Sequence, residues 1–255
     1  IASGKITIKK TVTAAQMITN LYNNSDKTAV TNNSVTYNYA TSVNLMNDRK
    51  GSMSTGIDSG NIRYYGASPN NYIYFNCSDY SNQSSSTCEI WRIIGVFGGK
   101  VKLIRGSQIG KYSWDSSASN VNEGNGVNEW SQADLMKLLN GGYDSESVGG
   151  SLYWNAQSGT CFSEEDNTTK ACDFTSTGLK NNTTRNMIAE TTYYTRGHDD
   201  SGIYADAMYD KERVSGTVYS SHSTSWTGKV AIPYPSDYGL SLIHISEPTR
   251  RTPIS

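Results

Sequence analysis

The sequence predicts an α+β fold in which an antiparallel sheet surrounds a central hairpin, with a few short helices and long polar loops. Two apolar runs in Cys77–Arg105 flank a Gly-Gly pair, which predicts the hairpin. Helix-start signals precede only short stretches of helical periodicity, so the helices are expected to be short. Serine, threonine, asparagine, glycine and 18 tyrosines fill the segments between them, and 18% of the 255 residues are charged.

The central hairpin turns at Gly98-Gly99, where glycine accepts a positive φ without a Cβ clash. This turn sets a register that puts four apolar residues on one face, pairing Ile94 with Leu103 and Val96 with Val101. Ile93 and Ile104 pair on the opposite face. Apolar residues on both faces predict a central strand that is covered on both sides.

The N-terminal helix has a clear beginning in the sequence. Thr13 and Gln16 have the spacing of a capping box, so a helix is expected from this point to about Tyr22. Met17, Ile18 and Leu21 are expected to form the buried side of this helix. Val12, which precedes the cap, is expected to pack on Met17 as a hydrophobic staple.

The helix belongs to a predicted N-terminal lead-in, residues 1–60, whose second half is rich in polar residues. Within it we expect weak order over 28–60, a β-like piece at Val35–Tyr39 and a short helix at Ser42–Met46. The first sheet strands of the following domain are predicted at Asn61–Gly66 and Tyr72–Phe75.

The clearest helix of the chain is predicted to begin at Ser131, which forms a capping box with Asp134. Trp130 precedes this cap and is expected to pack on Leu135, and Gly141 ends the helix. Its buried stripe is predicted to be Leu135, Leu138 and Leu139.

Three shorter elements follow in the C-terminal third. Asn182 is predicted to cap a helix over Thr183–Thr191 that buries Met187 and Ile188, and a further helix is expected over Tyr204–Arg213. Lys229–Ile232 is predicted to be a strand. One core is expected to contain Ile94, Val96, Val101, Leu103, Leu135 and Leu138.

The four cysteines fall into two local pairs with equal spacing, Cys77 with Cys88 and Cys161 with Cys172. Each pair closes a polar loop that burial could not hold in shape, so we predict two disulfides and an oxidising compartment. Each bond would stabilise the fold by about 3 kcal/mol on a chain-entropy account. Free thiols and zinc are the alternatives, although zinc usually takes the closer spacing of a CxxC knuckle.

The composition restricts the classes of partner. The net charge is −1 and there is no basic run, so nucleic-acid binding is not expected, and no stretch has the length of a membrane span. A polar but uncharged surface suits an extracellular or cell-surface protein. Ile1-Ala2-Ser3 followed by lysines at 5, 9 and 10 is consistent with an export or anchor segment upstream of this chain.

The C-terminal stretch is different in kind from the rest. Leu240–Arg250, LSLIHISEPTR, resembles the translation of a sequencing adapter. We therefore expect an α+β surface domain over 61–239 that is interrupted near Gly239 and is incomplete, and a non-native read-through tail over 240–255 that packs poorly and takes no part in function.

Several segments resemble an uncharacterised domain family of secreted and surface proteins from Gram-positive gut bacteria. They are PNNYIYFNC, CEIWRIIGVF, KVKLIR, SWDSS and VNEWSQADLMKLLN, and the likeness covers about Pro69–Tyr238. The resemblance implies a surface domain without known chemistry. It also implies similarity to the compact α+β domains of C-type lectins and formylglycine-generating enzymes, which is an expectation about fold alone.

Catalytic chemistry has weak support in the sequence. His198 and His222 are the histidines outside the tail, Cys161 has a disulfide partner, and no nucleophile-elbow motif occurs. The acidic residues between Asp199 and Asp210 match no calcium-binding loop. We therefore expect no catalytic residues, metal or cofactor.

The aromatic residues in polar loops are the more useful signal. The candidate ligand-binding residues are Tyr112, Trp114, Tyr153, Trp154 and Trp226, with core packing as the alternative for each. Aromatic rings beside polar groups predict an interaction module for a surface glycan or protein. The alternatives are a structural, pilin-like subunit of a surface appendage and a hydrolase that acts on polysaccharide.

Overall fold

The computed structural model describes residues 12–32, 35–48, 61–116, 129–164, 168–197, 205–216 and 222–242. Short helices and mostly antiparallel strands in sheets make up these residues, which confirms the predicted α+β class. The chain forms two compact units. The first unit comprises Ile1–Asn70, Ile93–Leu103 and Ser241–Ser255, and the second comprises Asn71–Arg92 and Ile104–Leu240. The predicted division at residues 60 and 239 stays a prediction.

The first unit is built on antiparallel strands beside one helix. Its elements are α1 (Ala14–Asn23), β1 (Lys27–Asn32), β2 (Val35–Ala40), β3 (Leu45–Asn47), β4 (Ile62–Tyr64) and the ends of two strands of the central hairpin, β6 (Glu89–Phe97) and β7 (Lys100–Arg105). Within this unit the strand order is β1-β2-β3-β4-β6. The strand predicted at 61–66 is confirmed as β4.

Helix α1 begins as predicted but packs on a different face. Both hydrogen bonds of the Thr13 and Gln16 capping box are present. Ile18 and Tyr22 are buried, whereas Met17 is 58% and Leu21 46% exposed. Ile18 is therefore confirmed as an inward residue, but Met17 and Leu21 are not, because Tyr22 takes the other inward position and donates its hydroxyl proton to Asn38 O. Val12 and Met17 are both exposed, so the predicted staple buries neither residue.

The polar lead-in is folded rather than weakly ordered over 35–48. Tyr37 and Tyr39 are buried on β2 while the intervening Asn38 is exposed, which is the alternation of a half-buried strand. The helix predicted at Ser42–Met46 is wrong, because Leu45–Asn47 pairs with β2 and β4. Residues 49–60 lie outside the described part of the chain.

The central hairpin is confirmed. Strand β6 pairs with β4 through Gly95 and Val96, and β7 also pairs with β6, so β6 has neighbours on both sides. Gly98 and Gly99 have φ values of 53° and 76°, as the turn requires. A Cβ on Gly95 would lie 2.3 Å from Ile62 O, so only glycine allows this approach. The residue pairing across the turn stays a prediction.

The second unit contains the remaining elements. They are β5 (Tyr72–Phe75), which pairs with the beginning of β6, α2 (Asp134–Leu139), α3 (Leu152–Asn155), β8 (Ser158–Phe162), β9 (Thr169–Asp173), α4 (Asn182–Met187), β10 (Thr191–Tyr194), α5 (Ala205–Asp210), a π-helical turn (Lys211–Ser215), β11 (Ser225–Gly228) and α6 (Pro235–Leu242) as far as Leu240. The predicted strand at 72–75 and the short helix near 204–213 are confirmed. Residues 243–255 of the predicted tail lie outside the described residues.

A hydrophobic core of the second unit gathers around α2. Its buried members are Trp130, Ala133, Met136, Leu138, Leu139, Tyr153, Cys161, Cys172, Phe174 and Leu179. Leu135 is partly buried against this cluster. Ile94 and Val96 are also buried, but they belong to the first unit. The cluster that contains Leu138 does not include them, and the prediction of one shared core stays a prediction.

Both predicted helix caps of this unit are displaced. Helix α2 begins three residues later than predicted, because Ser131 bonds to Glu129 and the Asp134 carboxylate accepts from Ser116. Asn181, rather than Asn182, caps α4 by accepting from Thr184 N at 2.9 Å. The inward residue of α4 is Thr184, and the predicted core residue Met187 is 52% exposed.

The four cysteines are paired as predicted, Cys77 with Cys88 and Cys161 with Cys172. The second bond joins strands β8 and β9, whose register runs from Ser158 opposite Asp173 to Phe162 opposite Thr169. The first closes an irregular loop. Two disulfides and the finding that no described helix is long and apolar enough to cross a membrane are both compatible with an extracellular protein.

Candidate functional site

The second unit contains a cavity of about 410 Å³ with two tryptophans in its wall. These are Trp154 and Trp226, which come from different elements and are both only partly buried. The polar side chains in the same wall include Asn140, Glu190 and Lys229. A volume of this size lies in the range of small-molecule sites.

Trp154 is placed by the one-turn helix α3. The residues on either side of α3 adopt left-handed backbone conformations, with φ of 57° at Ser151 and 53° at Ala156. Ser151 is fully buried and donates its hydroxyl proton to Asn140 O at 2.9 Å, while Tyr143 N donates to the Ser151 hydroxyl at 2.9 Å. These bonds fix α3 against the end of α2 and thereby fix the direction of Trp154.

The indole of Trp154 lies against Gly141. A Cβ at position 141 would be 2.6 Å from Trp154 Nε1 and 2.8 Å from its Cδ1, which is closer than a side chain allows. Gly141 directly follows the C-terminal cap of α2, Asn140, where the sequence predicted a helix-ending glycine. The positive φ, however, is at Gly142. Glycine is therefore required at position 141 because a side chain there would collide with the Trp154 indole, and not because of its backbone conformation.

Asn140 connects α2 to the segment after β11. Its amide donates to Val230 O at 2.9 Å and accepts from Val230 N at 3.0 Å, and the same amide nitrogen also donates to Met136 O. The strand predicted at Lys229–Ile232 is wrong for this reason. Val230 bonds to a side chain in place of a neighbouring strand, and the regular strand β11 lies just before it.

Trp226 is supported from behind by two aromatic rings. Its strand partner Tyr193 lies 5.6 Å away between ring centroids, and Trp130 meets it edge-on at 6.0 Å. Its indole also lies across Gly228, where a Cβ would approach Trp226 Cη2 to 2.1 Å. Burial, with a smaller contribution from Asp237, raises the pKa of Tyr193 to about 12, so this ring stays neutral.

Lys229 joins the two sides of the cavity. Its ammonium lies 5.3 Å from the centre of the Trp154 ring, a cation–π contact. Its backbone carbonyl accepts from the Tyr193 hydroxyl at 3.2 Å. Tyr193, which packs on Trp226, therefore fixes the backbone of Lys229, and the lysine side chain extends towards Trp154.

The other three aromatic candidates do not line this cavity. Tyr153 is 3% exposed and packs on Phe174, so it is a core residue. Tyr112 also packs on Phe174 and lines a separate space of about 10 Å³, too small for a ligand. Trp114 lies 5.3 Å from Trp130 between ring centroids and packs against the core.

Tyr143, Glu190 and Lys229 also line the cavity, and no signal in the sequence predicted them as site residues. Each is a common surface residue without a motif, and each is distant in sequence from at least one tryptophan. No group of three or more metal-ligating side chains occurs in the described ranges. No protein-family model, curated protein or solved structure matches this chain.

Proposed function

We propose that this chain is an extracellular or cell-surface binding module, and that its cavity holds part of a glycan. One observation carries the proposal: the fold brings Trp154 and Trp226 into one cavity wall, although they are 72 residues apart in the sequence. Sugar rings present C–H faces that stack on aromatic rings and hydroxyl groups that need polar partners. Lys229 and Glu190 place charged groups at the same wall.

The disulfides and the composition of the chain favour a location outside the cell. Both disulfides close polar loops, and bonds of this kind persist in oxidising compartments. The low charged content and abundant small polar residues also suit an extracellular surface. These observations support the proposal without identifying a partner.

Binding is favoured over hydrolysis by the carboxylates of the cavity. Glycosidases generally need two carboxyl groups on either side of the scissile bond. Among the described residues, Glu190 is the one carboxylate in the cavity wall, and it is exposed. A single exposed carboxylate can bind hydroxyl groups but does not provide an acid and a base.

A glycan array read beside an assay for released reducing sugar tests this function. We expect binding without turnover, and we expect Trp154→Ala to abolish binding while the protein remains folded by circular dichroism. Tyr72→Ala is the matched control, because Tyr72 is an aromatic residue that is 56% exposed and lies outside the cavity wall. Binding that survives Trp154→Ala but not Tyr72→Ala would refute the site, and turnover would favour the hydrolase.

A further inference from the structure

Lys229 has an environment that is incomplete for a cation. The residue is partly buried, and its ammonium is over the face of Trp154 at 5.3 Å. Within the described ranges, no carboxylate lies within 4.0 Å of this ammonium, and no hydrogen bond from it is present. An ammonium has three protons to donate, and withdrawing it from water is costly unless an anion or acceptor replaces the water.

The backbone that carries this ammonium is fixed before any ligand arrives. Tyr193 donates to Lys229 O at 3.2 Å, and the next residue, Val230, is held on both of its backbone polar groups by Asn140. A charge that is positioned in advance loses little further freedom when it binds, which favours affinity.

The opposite charge in the cavity wall does not cancel this effect. Glu190 is the carboxylate of the wall, but it is classed among the exposed residues, whereas Lys229 is partly buried. Water and salt screen an exposed charge more strongly than one that is partly withdrawn from solvent. Lys229 is therefore the less screened of these two charges.

We infer that the glycan bound by this cavity carries an anionic group, a carboxylate or a sulfate ester, which pairs with the Lys229 ammonium while sugar rings stack on the tryptophans. This inference rests on the proposed function and specifies its ligand class. Charge-assisted hydrogen bonds are stronger than neutral ones, so the anion should contribute a large part of the affinity.

Isothermal titration calorimetry with matched ligands tests the anion. The probes are trigalacturonate, its fully methyl-esterified neutral form, and a sulfated galactotriose beside unsulfated galactotriose. We expect the full chain to bind at least one anionic member about tenfold or more tighter than its neutral counterpart. The pair that shows the preference identifies the anion as carboxylate or sulfate.

Three charge variants assign that preference to a residue. Lys229→Gln should remove the preference, Lys229→Arg should retain most of it, and Glu190→Gln should increase it slightly by removing a repulsive charge. Lys111→Gln is the control, because Lys111 is an exposed lysine outside the cavity wall. The preference should also decrease as the salt concentration rises.

The failure of this inference is distinct from the failure of the proposed function. Equal binding of charged and neutral partners, or a preference unchanged in Lys229→Gln, would overturn the anion while leaving a glycan-binding module. Absence of binding to every glycan on the array would overturn the proposed function and this inference together.

Discussion

The core around Tyr153 and the cavity beside Trp154 differ sharply, although these two residues are consecutive in the chain. Tyr153 is 3% exposed, and burial raises the pKa of its hydroxyl well above the usual value. Trp154 remains partly exposed, in a wall that also contains polar and charged side chains. The one-turn helix between two left-handed residues, Ser151 and Ala156, directs neighbouring aromatic rings into these two environments.

The comparison shows how stability and binding can be separated within one unit. The core is held by apolar contacts and a disulfide, whereas the cavity is held by hydrogen bonds from Asn140 and Ser151. Substitutions in the core should therefore change the free energy of unfolding. Substitutions at the cavity wall should change ligand affinity, and only residues that serve both regions should change both.

The largest expected effect is on the core side. Leu138 is 3% exposed in the core cluster, so Leu138→Ala should lower the free energy of unfolding by about 2–5 kcal/mol. Urea denaturation followed by circular dichroism measures this change. The folded fraction of the variant should bind glycan as the unsubstituted protein does. A loss below about 0.5 kcal/mol, the range of ordinary surface substitutions, would show that α2 does not form the core.

Asn140 should affect both regions to an intermediate degree. Asn140→Ala leaves the buried backbone carbonyl of Met136 and both polar groups of Val230 without this partner, which should cost about 1–3 kcal/mol. It should also weaken binding, because Lys229 is adjacent to the released segment. Thermal unfolding and calorimetry on the same sample separate the two effects. A destabilised variant with unchanged affinity would show that Asn140 does not position the site.

Gly141 gives the smallest expected change in stability. Gly141→Ala brings a methyl group against the Trp154 indole, which can move towards the cavity, so we expect a cost of about 1 kcal/mol and a clear loss of affinity. Gly197→Ala is the matched control, because a Cβ at Gly197 would meet no atom within 4 Å and Gly197 lies outside the cavity wall. Unchanged affinity in Gly141→Ala would mean that the orientation of Trp154 does not matter for binding.

Local signals in the sequence predicted the features that depend on local physics. Equal spacing identified both disulfides, the Gly98-Gly99 pair identified the turn, and a run of residues with high β propensity identified the strand Tyr72–Phe75. The capping box at Thr13 was also correct. In each case the residues that determine the feature lie within about a dozen positions of one another.

The remaining features depend on partners that are distant in sequence. Asn140 replaces a strand partner for Val230 across 90 residues, and no periodicity reveals this. The β-like piece predicted at Val35–Tyr39 is confirmed as β2, but its tyrosines lie among polar residues, and this context did not reveal that they are buried. The same context that identified Trp154 and Trp226 as candidates also identified Tyr153, because aromatic type does not distinguish a cavity wall from a core.

The five tryptophans of the chain provide a direct test of the division between cavity and core. Each indole N–H gives one signal in a ¹⁵N–¹H correlation spectrum, and single Trp→Phe variants assign the signals. Trp91 is the internal reference, because its Nε1–H donates to Glu89 Oε2 at 3.0 Å and it is not in the cavity wall.

The decisive measurement is a titration of the ¹⁵N-labelled chain with trigalacturonate. The Trp154 and Trp226 signals should shift in proportion to site occupancy, Trp130 should shift less through its contact with Trp226, and Trp91 should not move. Binding that is detected by calorimetry while Trp154 and Trp226 remain unchanged, or that shifts Trp91 instead, would contradict the assignment of the ligand to this cavity.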